Sequence, residues 1–306
     1  MKIAVTGATG FVGRHLCAAL LERKHSVVAL TRDPGKAPRG TEAKAWDAKD
    51  AEALKKATAG CDAIINLAGE NIFAKKWDAG FKLLLRSSRV DVTKACVEAC
   101  RAEGGPKTLV SASAIGLYGP RGAAPVDEEA VGDQWNLLSS VCLEWEYESR
   151  RAESAGVRTC IIRTGVVLGR DGGALEKMLP PFRAGFGGPI GSGAQGLSWI
   201  HIDDLCGIYV KAVEDAAWKG VYNAVSPNPL SNRAFSSALG RVLRRPAFFP
   251  TPPFVLHFLL GEVASLLTTG QFVLPKRTLE GGYAFRYPEA EAALRSLLGV
   301  PEARTA

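Results

Sequence analysis

Residues 6–13 read TGATGFVG. The apolar run KIAV precedes them, and FVGRHLCAALLERK follows, with Leu16, Ala19 and Leu20 recurring at helical spacing. A strand, a glycine turn and a helix in that order make a cradle for phosphate. Gly7 permits the tight turn, Gly10 lets a pyrophosphate approach the backbone, and Gly13 lets the helix pack closely on the strand. The opening turn of the helix then offers unpaired N–H groups and a favourable dipole. A glycine triplet alone is weak evidence. Its placement between strand and helix makes a dinucleotide the expected ligand, held by Gly7, Thr9, Gly10, Phe11, Val12 and Gly13.

Outward from this turn the chain alternates. SVVALTR, CDAIINLAG, KTLVSASA, RTCIIRTGVVLG and VYNAV read as strands, and residues 50–58, 77–101 and 137–155 as helices between them. The expected fold is α/β, a Rossmann-type doubly wound parallel sheet of about seven strands. After Gly169 the pattern loosens, and GGPIGSGAQG reads as a loop. In IDDLCGIYVKAVED, Asp203 or Asp204 is expected to cap the helix. Residues 1–225 are expected to bind the dinucleotide, with the 170–200 loop contributing to a small lobe completed by residues 226–306.

The composition is that of a globular protein, 47% hydrophobic and 23% charged over 306 residues. The seven cysteines form no Cys-x-x-Cys and match no histidine spacing, so buried thiols are expected and no metal. The chain runs straight from MKIAVTGATG into a strand, so a cytoplasmic protein without a signal peptide is expected. PFVLHFLLGEVASLLTTG is interrupted by Gly261 and Glu262. It is expected to pack as an amphipathic helix, on the domain or on a second subunit of a homo-oligomer, and not to span a membrane. The net charge of +7 is spread along the chain, which suits a solvated surface or a small anionic ligand better than nucleic acid.

The second strand ends in VVALTRDP. An acid here would bind an adenosine 2′-hydroxyl, whereas an arginine receives a 2′-phosphate. Arg32 follows Thr31 at that place, and Asp33 precedes a proline as a turn residue would. The expected cofactor is therefore NADP(H).

These residues resemble the extended short-chain dehydrogenase/reductase family, in its NAD(P)-dependent epimerase/dehydratase branch. TGATGFVG is similar to its nucleotide fingerprint. NLAG (Asn66, Leu67, Ala68, Gly69) is similar to its fourth strand end, and SASAIGLYG, containing Ser111 and Ser113, to its fifth strand and serine turn. RTGVVLG, with Val167, is similar to the strand reaching the nicotinamide. AGENI at 68–72, SSR at 87–89, CLEWE at 142–146, WIHIDD at 199–204 and LPKRTLEGGY at 274–283 resemble an atypical epimerase-family subgroup. The resemblance covers nearly the whole chain.

In the parent family the helix after the serine turn carries Tyr-x-x-x-Lys and then a Glu four residues on. Aligning Glu146 with that Glu places Cys142 at the Lys and Leu138 at the Tyr. Neither side chain can take the missing role: Leu has no proton to give and Cys carries no fixed positive charge. Acid–base assistance is worth ~10²–10⁴-fold in rate, so turnover requires another proton source, or the protein is a non-catalytic NADP(H)-binding sensor or scaffold.

The resemblance implies that Ser113 orients a carbonyl or hydroxyl of an unidentified small-molecule substrate and that Arg89 contacts a cofactor phosphate. Ser113 can equally cap its own turn, and Arg89 can equally sit in a surface salt bridge. Glu70 is a candidate acid or a loop anchor, and His201 a candidate proton donor or a structural hydrogen-bonder. Asn71, Gln195 and Trp199 are candidate substrate contacts, with Trp199 alternatively a core residue.

Overall fold

β1 (Lys2–Thr6) lies inside a seven-stranded sheet in a computed structural model that describes residues 1–48, 50–134 and 136–301. The other strands are β2 (Ser26–Thr31), β3 (Glu42–Ala45), β4 (Ala63–Asn66), β5 (Thr108–Ala114), β6 (Arg158–Thr164) and, after two short strands, β9 (Gly220–Ala224). Those two are β7 (Val166–Leu168) and β8 (Trp199–His201), which pair with each other beside the sheet. The sheet order is β9-β6-β5-β4-β1-β2-β3, with every pairing parallel. This is the expected doubly wound α/β architecture. The order reverses at β1, so the crevice for a ligand opens where β1 and β4 end.

Alternation along each strand sends side chains to two cores. Ile3 and Val5 join the layer of α1 (Phe11–Glu22), while Ala4 joins the layer of α2 (Ala51–Thr58) and α3 (Ala79–Arg101). Burial on both faces explains the continuous apolar strands. Asp50 and Asp78 start α2 and α3 by accepting the N–H groups of Ala53 and Phe81. α4 (Leu137–Arg150) opens on a reciprocal cap between Asn136 and Ser139. All seven cysteines are buried and free of disulfides.

Three local expectations change. β3 reads EAKA and occupies the sheet edge, where polar side chains face water and no apolar pattern announces a strand. α5 (Gly173–Arg183) is a helix despite Pro180 and Pro181, and buries Leu175, Leu179 and Phe182. In α6 (Ile202–Glu214) neither Asp203 nor Asp204 is the cap. The His201 ring accepts the Asp203 N–H at 3.0 Å instead.

Beyond β9, α7 (Asn232–Leu243) joins the core through Phe235 and Leu239. α8 (Pro253–Leu260) buries none of its residues, and Phe254 and Phe258 stand exposed. The segment meets the domain only in part: Val255, Leu256 and Leu260 are half-buried, and Val263 and Ala264 just beyond α8 are buried. After the short α9 (Ser265–Thr268), α10 (Lys276–Glu280) docks beside β9: Thr278 donates to the Asn223 carbonyl, and Trp218 Nε1 donates to Gly281 O. α11 (Ala290–Leu298) closes the fold against α7. Among the described residues, no helix is long and apolar enough to cross a membrane.

Candidate functional site: a crevice at the ends of β1 and β4

The glycine turn has the geometry its residues imply. Gly7 has φ +66°, and a Cβ there would lie 2.9 Å from the backbone carbonyl of Leu67. A Cβ on Gly13 would lie 2.2 Å from Gly7 O. Only hydrogen fits at either place. Gly10 is different. It is exposed, its φ is −72°, and it precedes the first turn of α1 with no side-chain cap. Thr9, Phe11 and Val12 are part-buried around it.

Thr6 ties this turn to β4. Its hydroxyl donates to Asn66 Oδ1 at 2.7 Å and accepts the N–H groups of Leu67 and Ala68. Asn66 Nδ2 donates to Thr93 on α3. The NLAG residues are thus held by their own polar atoms. Gly69 is exposed, and a Cβ on it would touch the Arg89 guanidinium at 3.2 Å. Arg89 reaches up from α3 and donates to the carbonyls of Glu70 (2.9 Å) and Leu85 (3.0 Å).

On the other flank, β2 ends at the buried Thr31. Arg32 is exposed and makes no ion pair with the described residues. It borders a hollow of about 260 Å³ with Ala45, Trp46 and Asp50. Asp33 caps the next turn by accepting the Gly35 N–H, the turn role expected of it.

The serines behave otherwise. Ser111 and Ser113 face α4, as strand alternation requires, but both are buried. Ser113 donates to Glu146 Oε1 at 2.8 Å, and Ser149 donates to Ser111. Arg163, paired with Ser113 across β5 and β6, grips Glu146 and also donates to the Tyr118 hydroxyl. Tyr118 donates to Asn223 on β9. This chain of polar groups joins the strand ends to α4 through residues too far apart in the chain for any local pattern to link them. Desolvation opposes the charge on Arg163, yet the Glu146 carboxylate holds the guanidinium above its ordinary range. The half-exposed residue after Ser113 is Ala114, which brings no hydroxyl to the crevice.

On α4, Leu138 is part-buried and Cys142 is buried. Burial pushes the Cys142 thiol up to about 12, outweighing the pull of Arg89, so it stays protonated near neutral pH. Glu70 is half-buried, and its carboxylate accepts the Asn71 N–H, the loop-anchoring arrangement. Asn71 is exposed and folds its side chain onto the Phe73 N–H.

His201, Gln195 and Trp199 are not brought to the crevice as working groups. His201 is buried, stacks on Tyr287 at 3.9 Å and caps α6. Desolvation lowers its pKa to about 4, with Asp203 opposing. Gln195 Nε2 donates to the carbonyls of Ile190 and Leu267, bridging two loops. Trp199 is fully buried and donates to Asn228 O. Val167 is part-buried on β7.

The loop RDGG after β7 carries no motif, yet it bears on the glycine turn. Phe11 inserts into it: Cβ atoms on Gly169 and Gly172 would lie 2.3 and 2.4 Å from its ring. Asp171 accepts from His15 at 2.9 Å and Arg14 at 3.3 Å. The Phe11 side chain therefore braces the glycine turn, leaving its backbone toward the crevice. A larger groove of about 740 Å³ runs along α1 and α6 past Glu22, Lys211 and Arg286, not at the glycine turn. No cluster suited to a metal occurs among the described residues.

The model for the NAD dependent epimerase/dehydratase family matches residues 3–224. The chain belongs to this family. Residues 251–297 match a second model, described as a domain of unknown function (DUF1731). The epimerase family protein SDR39U1 homolog, chloroplastic, of Arabidopsis thaliana is 41% identical over 305 residues, spanning 97% of this chain and 87% of that protein. Human epimerase family protein SDR39U1 is 39% identical over 302 residues, spanning 97% of this chain and all of that protein. A crystal structure of the human protein (isoform 2) with NADPH superposes with TM-score 0.87 at 36% identity, over 98% of this chain and 99% of that one. The resemblance to extended short-chain epimerase-family proteins is thereby confirmed.

Proposed function

We propose that this protein binds NADP(H) across the ends of β1 and β4. The observation carrying this reading is the glycine turn: Gly7 and Gly13 admit no Cβ, and Gly10 stands exposed where α1 begins. Arg32 would receive the 2′-phosphate as an unpaired exposed cation. The NADPH-bound human relative supports the choice of cofactor. When bound, the nicotinamide would give a hydride to a carbonyl carbon, or in its oxidised form take one from a hydroxyl-bearing carbon, of a small or sugar-nucleotide-like substrate.

The proton half of such a reaction is where this chain departs from its family. We infer that Leu138 and Cys142 stand in place of the Tyr and Lys. Ser113 is committed to Glu146, and His201 to the start of α6. These commitments favour a second reading, a sensor or scaffold whose cofactor occupancy matters more than turnover.

Fluorescence titration tests the first reading. Wild type takes up NADPH, and Arg32→Ala weakens NADPH about 10–100-fold while changing NADH less than about threefold. Uptake of neither nucleotide at millimolar concentration overturns it. Following NADPH absorbance against a carbonyl and sugar-nucleotide panel decides the second: robust turnover of any member excludes a pure sensor.

A further inference from the structure

The stretch 253–271 frames the outer side of the crevice. Lys76 Nζ, in the loop after β4, donates to Phe258 O at 3.2 Å, and Lys82 on α3 pairs with Glu262 at 2.8 Å. At the other end Gln271 Nε2 donates at 2.7 Å to the carbonyl of Ile115, the residue after β5. α8 and the turns beyond it therefore bridge the segments that follow two adjacent strands, β4 and β5.

The polar groups of this frame are already engaged. Ser265, Thr268 and Thr269 donate to backbone carbonyls, and Glu262 holds Lys82. In the loop after β4, Asn71 accepts the Phe73 N–H, Lys75 pairs with Asp78, and Trp77 Nε1 donates to Ile72 O. Arg121, beyond the serine turn, donates to the carbonyls of Tyr118 and Val131. Ser113, Tyr118 and Arg163 serve the buried network around Glu146. Among the described polar side chains of 253–271, His257 alone has no partner. The phosphates of a nucleoside-diphosphate sugar call for charge-assisted donors, of which arginine forks are the strongest. The cations of this frame are committed to other partners.

What the frame offers outward is hydrocarbon. Phe258 is 81% exposed, Phe254 one helical turn before it 73%, and Phe73, three residues before Lys76, 46%. Exposed aromatic groups gathered at one rim mark a surface that an apolar group covers. The rim borders the crevice, so the covering group is the part of a substrate that extends away from its reacting carbon.

We propose that the substrate of this crevice carries its carbonyl or hydroxyl on a hydrocarbon chain that lies against Phe73, Phe254 and Phe258, and that it is not a nucleoside-diphosphate sugar. This narrows the substrate class of the NADP(H)-binding reading and rests on that reading.

The test titrates 2-butanone, 2-hexanone and 2-decanone, with UDP-glucose for comparison, into the protein saturated with NADP⁺, which has no hydride to give. Calorimetry should show ketone affinity rising about three- to fourfold per methylene, with UDP-glucose binding more weakly than 2-decanone. In the double variant Phe73→Ser, Phe258→Ser the rise should flatten to less than about twofold per methylene. Affinity independent of chain length in wild type, or tighter binding of UDP-glucose than of 2-decanone, overturns the substrate class. A rise unchanged in the double variant overturns the placement of the chain. Thermal melting shows whether the double variant folds; if it does not, each single substitution is read in its place. Failure to take up NADP⁺ defeats the cofactor reading separately, and the ketone series on the unliganded protein then judges the apolar rim by the same criteria.

Discussion

Glu146 and Arg163 meet in a buried, two-pronged ion pair, Nε to Oε1 at 2.7 Å and Nη2 to Oε2 at 2.8 Å. The pair joins α4 to the end of β6, one strand in from the sheet edge, with Ser113 sharing Oε1 and Tyr118 sharing the guanidinium. It locks the α4 face that carries Leu138 and Cys142 against the strand ends.

Removing one partner leaves the other charge buried alone, at a cost of about 3–5 kcal/mol. Glu146→Ala should therefore lose about that much unfolding free energy in urea titrations. Arg163→Lys should also lose stability, because an ammonium cannot reproduce the fork. A loss below about 1 kcal/mol for Glu146→Ala would mean that the pair does not anchor α4.

Ser113→Ala separates a structural hydroxyl from a substrate contact. Its hydroxyl donates to a carboxylate that two guanidinium contacts already satisfy. The expected destabilisation is about 1–2 kcal/mol, with NADPH affinity unchanged. If a substrate is found and this variant abolishes turnover at full stability, Ser113 acts on substrate after all.

What was legible in the sequence was whatever local backbone rules dictate. TGATGFVG required a turn at Gly7 and a close contact at Gly13 because only glycine tolerates them. The apolar strands were legible because both sheet faces are covered. β3 was not, since an edge strand reading EAKA has no apolar side to show. α5 was not, since it lies in the 170–200 stretch that reads as a loop, and its helix, which contains Pro180 and Pro181, is held by the burial of Leu175, Leu179 and Phe182. Ser113 and His201 were misleading for another reason. A hydroxyl or imidazole does not announce its partner, and Glu146 lies 33 residues from Ser113.

Gly10 and Gly13 should respond differently to one added methyl group. At Gly13 the Cβ would strike backbone at 2.2 Å, and α1 would have to move off β1. At Gly10 the nearest atom is Gly7 O at 3.2 Å, and a φ of −72° is open to alanine. Gly10→Ala should keep its melting temperature within a few degrees and lose NADPH binding, because the methyl occupies the approach of the pyrophosphate. Gly13→Ala should lose several kcal/mol of stability. Undiminished NADPH binding by Gly10→Ala would move the phosphates elsewhere.

His201 should make the fold acid-sensitive. Its folded pKa is lowered from 6.5 to about 4, chiefly by desolvation. Between those values the unfolded chain takes up a proton that the folded protein refuses. Stability from this group is therefore complete above pH 6.5 and falls as the pH drops toward 4, by on the order of 2–3 kcal/mol. His201→Asn can still accept the Asp203 N–H as a cap but has nothing to titrate. Urea unfolding of both proteins from pH 7 to pH 4 should show the wild type losing this extra amount. Parallel curves would mean that the buried ring accepts its proton as readily in the folded protein as in the unfolded chain.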